Sequence, residues 1–312
     1  MARIGNSELD VFPLSLGGNV IGWTADQAQS FAVLDAFTAA GGDFVDTADS
    51  YSAWAPGNSG GESETIIGAW LARRGRRDDI VVATKVGGHP DSRNLRPETI
   101  RAGAEASLRR LGTDRIDLYY THFDDLAVPV EEIIGALDAL VKEGKVRAIG
   151  VSNISPERLA ASLDFSEREG LARYEIIQPL YNLVERGQYE GPLADLAAAR
   201  GLSAAPYSGL ASGFLTGKYR PGGAAVDSPR APRAAGYLTD GRGPKVLEAL
   251  DEVAAAHGAE VATVALAWLA AQPTVVAPIA SARTVEQLPA LTAVADLKLT
   301  DQEIAALTAA AS

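Results

Sequence analysis

The chain has 312 residues, of which 47% are hydrophobic and none is cysteine. That is enough apolar material for one large core, and it excludes a disulfide framework, a thiol nucleophile and a thiolate metal site. A net charge of −12, from 28 basic against 40 acidic residues, excludes the basic face that a phosphate backbone requires.

In chain order, residues 3–12 suggest a small hairpin turning at Gly5-Asn6-Ser7. A further expectation comes from Met1–Asp10, which carries no apolar stretch of the kind found in secretory signals. Leu14-Ser-Leu-Gly17 reads as a first strand. A beat of apolar strand, loop and amphipathic helix follows. Helices are expected over 26–40 and 62–74, the second ending in the cluster Arg73-Arg-Gly-Arg-Arg77, where cations complement the helix dipole. Pro97 opens a helix that Gly112 stops, and the stripe Val130, Ile133, Ile134, Leu137, Leu140, Val141 marks the next, ended by Gly144. Strands are expected at 146–152, 175–178, 202–207 and 274–279, with helices over 189–200, 244–257 and 284–294 between them. A last helix opens on the capping box Thr300-Asp-Gln-Glu303.

Eight strand–helix units imply parallel strands closed into a (β/α)8 TIM barrel, with the N-terminal β-hairpin and an extra C-terminal helix added. No linker divides residues 1–312, so one barrel domain is expected. The longest irregular stretch, Tyr219 to Gly243, is rich in Gly, Pro and Ala. No apolar run approaches the roughly 18 residues of a membrane span. The expectation is a cytoplasmic protein that uses neither membrane nor nucleic acid as a partner.

Three successive strands end in a titratable side chain: Phe44-Val-Asp46, Ile80-Val-Val-Ala-Thr-Lys85 and Ile116-Asp-Leu-Tyr-Tyr-Thr-His122. In a barrel these ends share one mouth, and Tyr51 hangs over it five positions after Asp46. Any one of them alone reads as an ordinary core or surface residue; together they read as a site. A phenol titrates near about 10, too high for proton transfer at neutral pH, and a neighbouring ammonium is expected to pull it down. Asp46 offsets the cost of burying Lys85, and His122 can orient a carbonyl oxygen. The product is a general acid aimed at a developing alkoxide. No side chain supplies a hydride, so a nicotinamide is required.

Over essentially its whole length the chain resembles the aldo-keto reductases. The matching segments are Phe44-Val-Asp46-Thr-Ala-Asp-Ser-Tyr51, Gly61-Glu-Ser-Glu64 with Ile67-Gly68, Thr84-Lys85, Thr121-His122, Gly144 to Asn153, Gln178-Pro-Leu-Tyr-Asn182, Tyr207-Ser, and Gly213 to Tyr219. The resemblance implies an NADPH-dependent reductase of a small-molecule aldehyde or ketone, with the catalytic tetrad Asp46, Tyr51, Lys85 and His122. It implies cofactor contacts at Gly18, Asn19 and Asp46. Ser152, Asn153 and Gln178 would hold the carboxamide, and Tyr207 would stack on the nicotinamide. Ser208, Gly209, Leu210, Ser212 and Lys218 would line the pyrophosphate. Ser281, Arg283 and Gln287 would surround the adenosine end, with Arg283 on the 2′-phosphate, where a guanidinium suits phosphate geometry. The helix near Thr284 would add its N-terminal amides. Lys218, Arg230 and Arg233 are the alternative cations for that phosphate.

Four positions depart from the family pattern. Gly209 stands where proline is usual, which implies a looser loop, and Ile154 replaces an aromatic. Ala290 and Leu291 are apolar where relatives carry polar adenine contacts. Gln287 also sits where it would complete a capping box with Thr284, and the two roles are compatible. Trp23, Trp54 and Phe123, on loops at the mouth, are substrate-pocket candidates or rim packing, while His89 and His257 read as surface histidines.

Two other readings compete: a Schiff-base aldolase using Lys85, and an NADPH-binding regulatory protein like the potassium-channel β subunits. The sequence Gly57-Asn-Ser-Gly-Gly61 lacks the preceding strand of a nucleophile elbow, and Gly213–Lys218 is too short for a P-loop. Asp43, Asp46 and Asp49 lack the histidines of a barrel metal centre, so no metal is expected. Oligomeric state and the identity of the carbonyl substrate lie beyond the sequence.

Overall fold

Eight short parallel strands form one sheet in the computed structural model, which describes residues 1–223, 225–239 and 241–311. In chain order the elements are β1 (Ser15–Gly17), α1 (Gln27–Ala39), β2 (Phe44–Asp46), α2 (Glu62–Arg74), β3 (Val81–Val86) and α3 (Pro97–Leu111). Then come β4 (Ile116–Thr121), α4 (Val130–Lys142), β5 (Val146–Ser152), α5 (Pro156–Glu169), β6 (Tyr174–Gln178), α6 (Pro192–Ala199) and β7 (Ser203–Ala204). The C-terminal part holds α7 (Ala231–Gly236), α8 (Gly243–His257), α9 (Val261–Ala270), β8 (Ile279–Ala280), α10 (Leu288–Thr292) and α11 (Asp301–Ala310). The spatial order is β8-β1-β2-β3-β4-β5-β6-β7. The ring closes where Ala204 bridges Val275, with Ala204 N donating to Thr274 O (2.8 Å) and Val276 N to Ala204 O (2.9 Å).

Local signals worked where the chain could satisfy its own backbone. Asp26 accepts from Gln29 N and Gln29 Oε1 from Asp26 N, which closes the first turn of α1. The Thr300–Glu303 box forms as expected. Gly112 ends α3 at φ +62°, a conformation that costs a side-chain-bearing residue. Departures cluster at proline. Pro206 and Pro278 have no amide for the ladder, and the seventh and eighth strands shrink to two residues each. Pro289 breaks the helix expected over 284–294 into a 3-10 turn (Val285–Gln287), α10 and a second 3-10 turn (Ala293–Ala295). The stretch 219–243 is not wholly irregular, since it contains α7.

Period-two alternation places the chemistry. Phe44, Ala83, Leu118, Tyr120, Ala148 and Ile176 belong to the cluster inside the barrel. The same parity carried to the strand ends turns Asp46, Lys85, His122, Ser152 and Gln178 inward. The hairpin (Ala2–Arg3 with Asp10–Val11) lends Ile4, Leu9 and Val11 to that cluster, so it plugs the end opposite the mouth. It is tied there by Gly5 N on Ser203 Oγ (2.8 Å) and Asn6 N on Glu175 Oε2 (2.8 Å). Helices cover the outside through two further apolar clusters. At Gly68 a Cβ would sit 2.2 Å from Arg110 O, so glycine lets α2 and α3 approach until Glu64 meets Arg110.

Candidate active site

At the carboxyl end of the barrel the strands deliver a buried polar network. Asp46 ends β2, 1% exposed, and Lys85 on β3 is fully buried. Lys85 Nζ donates to Asp46 Oδ2 (2.8 Å), Thr47 O (2.7 Å) and the Tyr51 hydroxyl (2.8 Å), so all three ammonium protons have acceptors. Tyr51 donates to Asp46 Oδ2 (3.0 Å), and Gln178 Nε2 reaches Asp46 Oδ1 (2.9 Å). A buried ion pair offsets its desolvation only when hydrogen bonds of this kind use the remaining donors and lone pairs. His122 follows β4, with its ring 6.1 Å from that of Tyr51 and stacked on Phe123 at 4.6 Å.

The charges differ from expectation at one point. Burial, reinforced by the Asp46 carboxylate, raises Tyr51 well above the usual phenol value instead of lowering it. Lys85 does not outweigh those two effects, because Asp46 faces the same hydroxyl and neutralises it; Arg230 is the cation that pulls Tyr51 downward. Burial lowers Lys85, and Asp46 opposes the fall. Burial and the charges of Lys85 and Arg93 hold His122 well below the ordinary imidazole value, hence neutral. With Ser50 Oγ 3.4 Å from Nδ1, a proton on Nε2 leaves the ring a donor toward the mouth.

Above the network opens a cavity of about 550 Å³. It brings together Asn19, Asp46, Tyr51 and His122 with Ser152, Asn153, Gln178 and Tyr207, and with Ser208, Gly209, Leu210, Ser212 and Lys218. Ser281, Arg283 and Gln287 line its far end beside the apolar Ala290 and Leu291, and Trp23, Trp54 and Phe123 its rim. Asn153 sits at φ +50°, and its amide nitrogen donates to His122 O (2.9 Å) and Ser152 Oγ (3.0 Å). Its Oδ1 accepts the Tyr207 hydroxyl (3.0 Å). Ser208, Ala211, Ser212 and Gly213 all take positive φ, from +47° to +90°, which makes 208–213 a strained turn along the cavity wall. Such strain persists only where its surroundings over-determine it.

Several expectations change. Lys85 lies beneath the wall and does not line the cavity. Gly17 lines it where Gly18 does not. A Cβ on Gly18 would lie 2.8 Å from Asp46 O and from Ser63 Oγ, so close packing accounts for that glycine. At Gly209 a Cβ would meet Leu266, Ile279 O and Leu269 at 3.2–3.3 Å, so the space beside it is tight. Gln287 Oε1 accepts from Arg283 N (2.8 Å), and Thr284 makes no cap bond, so that box is absent. The 3-10 turn also replaces the helix N-terminus expected near Thr284. His257 is a surface histidine as expected, with Nε2 2.8 Å from Glu303 Oε1.

Sequence reasoning undervalued the long loop. Ser228, Pro229, Arg230 and Arg233 all line the cavity, and Arg230 packs over the Trp23 ring at 5.5 Å. Its signal was two Pro-flanked arginines in an otherwise featureless stretch. Among the described residues no carboxylate pairs with Lys218, Arg230 or Arg283. Burial and mutual repulsion lower Lys218 and Arg230, the sign of an unneutralised cationic wall. No group of three or more metal-ligating side chains occurs among the described residues, and no single helix there is long and apolar enough to cross a membrane.

Comparison with known proteins gives a family. Residues 13–312 match the sequence model of the aldo/keto reductase family. The chain is 36% identical to the uncharacterized oxidoreductase YrpG of Bacillus subtilis, covering 91% of this chain and 87% of that one. It is 31% identical to norsolorinic acid reductase B of Aspergillus parasiticus, over 96% and 81%. To aryl-alcohol dehydrogenase GME11368 of Pestalotiopsis microspora it is 29% identical, over 96% and 78%.

Replacing Lys85 with methionine strands a buried carboxylate, and urea titration should find stability lower by about 3–5 kcal/mol. An unchanged midpoint and slope would show that the Asp46–Lys85 pair carries no net charge separation in the folded protein.

Proposed function

The chain belongs to the aldo/keto reductase family, and from that premise we propose that it is an NADPH-dependent reductase of aromatic aldehydes or ketones. One observation carries the reading: the Tyr51 hydroxyl, 2.8 Å from Lys85 Nζ, opens on a cavity whose other end is lined by cations with no carboxylate partner among the described residues. That wall fits a dinucleotide phosphate. Lys218, Arg230 and Arg283 would meet the pyrophosphate and 2′-phosphate, Ser152, Asn153 and Gln178 the carboxamide, and Tyr207 the ring face. When bound, the cofactor supplies the hydride.

The residues of the chain do the rest. Neutral His122 donates a hydrogen bond that fixes the carbonyl oxygen. Tyr51, kept protonated by burial and Asp46, gives that oxygen its proton as the carbon is reduced, so an alcohol results. Lys85 then stabilises the phenolate left behind. Trp23 and Trp54 meet edge to face (5.6 Å), and the aromatic band continues through Tyr51 and His122 to Phe123. With Trp54 50% and Phe123 36% exposed, this band offers a planar apolar substrate a surface and shields the reacting atoms from water. Relatives named for an aryl alcohol and for norsolorinic acid agree with that choice.

The aldolase alternative needs a free amine at Lys85. Its nitrogen already serves three acceptors and is sealed from the cavity, which favours the reductase. The same access to a proton donor and a substrate cleft favours an enzyme over a cofactor-binding regulatory protein.

Tyr51→Phe should bind NADPH normally, by fluorescence titration, and lose about 10²–10⁴-fold in kcat; retained activity would remove Tyr51 as the acid. Arg283→Ala should raise KM for NADPH far more than for NADH, whereas equal effects would place the 2′-phosphate on Lys218, Arg230 or Arg233. Benzaldehyde should be reduced with higher kcat/KM than hexanal, and Trp54→Ala should narrow the gap. No preference would leave the aromatic rim without a substrate role.

A further inference from the structure

Behind the tetrad lies a second group of buried charges. Asp49, three residues past Asp46, is 3% exposed, and its backbone N donates to Lys85 O (3.2 Å). Glu64 on α2 is fully buried and accepts Arg110 Nε (2.6 Å) and the Thr84 hydroxyl. Three carboxylates, Asp46, Asp49 and Glu64, therefore share this interior with two cations, Lys85 and Arg110. One negative charge is unmatched, and burial makes an unmatched charge costly, so the cluster must take up a proton.

Hydrogen bonding decides where that proton resides. Asp46 accepts from Lys85, Tyr51 and Gln178, and Glu64 from Arg110 and Thr84. Asp49 Oδ1 accepts from nothing among the described residues, and the Gly87 backbone amide beside this carboxyl favours its ionised form only weakly. The groups facing Asp49 are Glu64 from α2, Arg110 from α3, Lys85 from β3 and the phenol of Tyr119 from β4. His89 approaches across Gly60, where a Cβ would lie 2.9 Å from the imidazole and 3.0 Å from Asp49 O.

We propose that Asp49 is a positioning residue for the reduction: it carries the odd proton of this cluster and, once ionised, holds Lys85 in the charged form that supports Tyr51. The proposal rests on the reductase reading for its catalytic consequence, but not for the location of the proton. Burial first, then the Glu64 charge, push Asp49 up to about 7, while Arg110 and Lys85 pull the other way. Asp49 and Glu64 both favour the ammonium of Lys85. The switch from neutral to ionised Asp49 thus falls at neutral pH, and above it the carboxylate opposes loss of the Lys85 proton.

The test has two arms on the free chain and one on turnover. Infrared or ¹³C-carboxyl NMR titration should find a carboxyl that ionises near neutrality, is absent in Asp49→Asn and moves to lower pH in Glu64→Gln. Side-chain NMR of Lys85 should show its deprotonation at lower pH in Asp49→Asn than in wild type. The alkaline limb of kcat/KM should shift to lower pH in the same variant, with NADPH affinity unchanged. Absence of the near-neutral carboxyl, or its persistence in Asp49→Asn, would overturn the proposal, as would an unmoved Lys85. If Asp49→Asn does not fold, Glu64→Gln alone decides, because an unshifted carboxyl there refutes the shared charge. Failure of every variant and of wild type to reduce carbonyls would sink the reductase reading instead, and the first two arms would still judge Asp49.

Discussion

An ammonium ion and a carboxylate, both sealed from water, set the terms for the mouth of this barrel. Lys85 and Asp46 can remain charged there only because each is held by further hydrogen bonds, from Thr47, Tyr51 and Gln178. Those bonds come from three strand ends and a loop, so the electrostatics of the pair fix how β2, β3, β6 and the 47–51 turn meet. Fold and chemistry are the same constraint seen from two sides. A barrel that lost this register would bury an unpaired charge.

The pair also settles what the phenol can be. A lone lysine beside Tyr51 would make it more acidic. With Asp46 on the same hydroxyl, the phenol is instead kept protonated. His122 is stripped of its charge by burial and by Lys85 and Arg93. Each group owes its ionisation state to burial first and then to a charged neighbour in the same network. The cations of the wall lack carboxylate partners among the described residues, which suits an anion arriving from solvent.

Close approach of helices extends the same logic outward. Glycine at position 68 lets α2 settle on α3, and Glu64 and Arg110 then meet in the space behind Lys85. The result is a layered set of charges in which every member but Asp49 has strong partners.

Much of this was legible in the chain itself. The strand ends Asp46, Lys85 and His122 placed three titratable groups at one mouth, since parallel strands in a barrel all end on the same side; which face each side chain takes is set by the buried clusters on both sides of the sheet. Capping residues such as Asp26 and Thr300, and stops such as Gly112, fixed helix ends through contacts only a few residues long. Tertiary structure alone decided the rest. Whether Tyr51 is acidified or kept neutral depends on distances between residues far apart in sequence. That Arg230 reaches the cavity from the 219–243 loop and that Gly18 serves packing both follow from contacts across the fold. Local sequence carries short-range bonding and periodicity; charge balance and cavity shape belong to the assembled molecule.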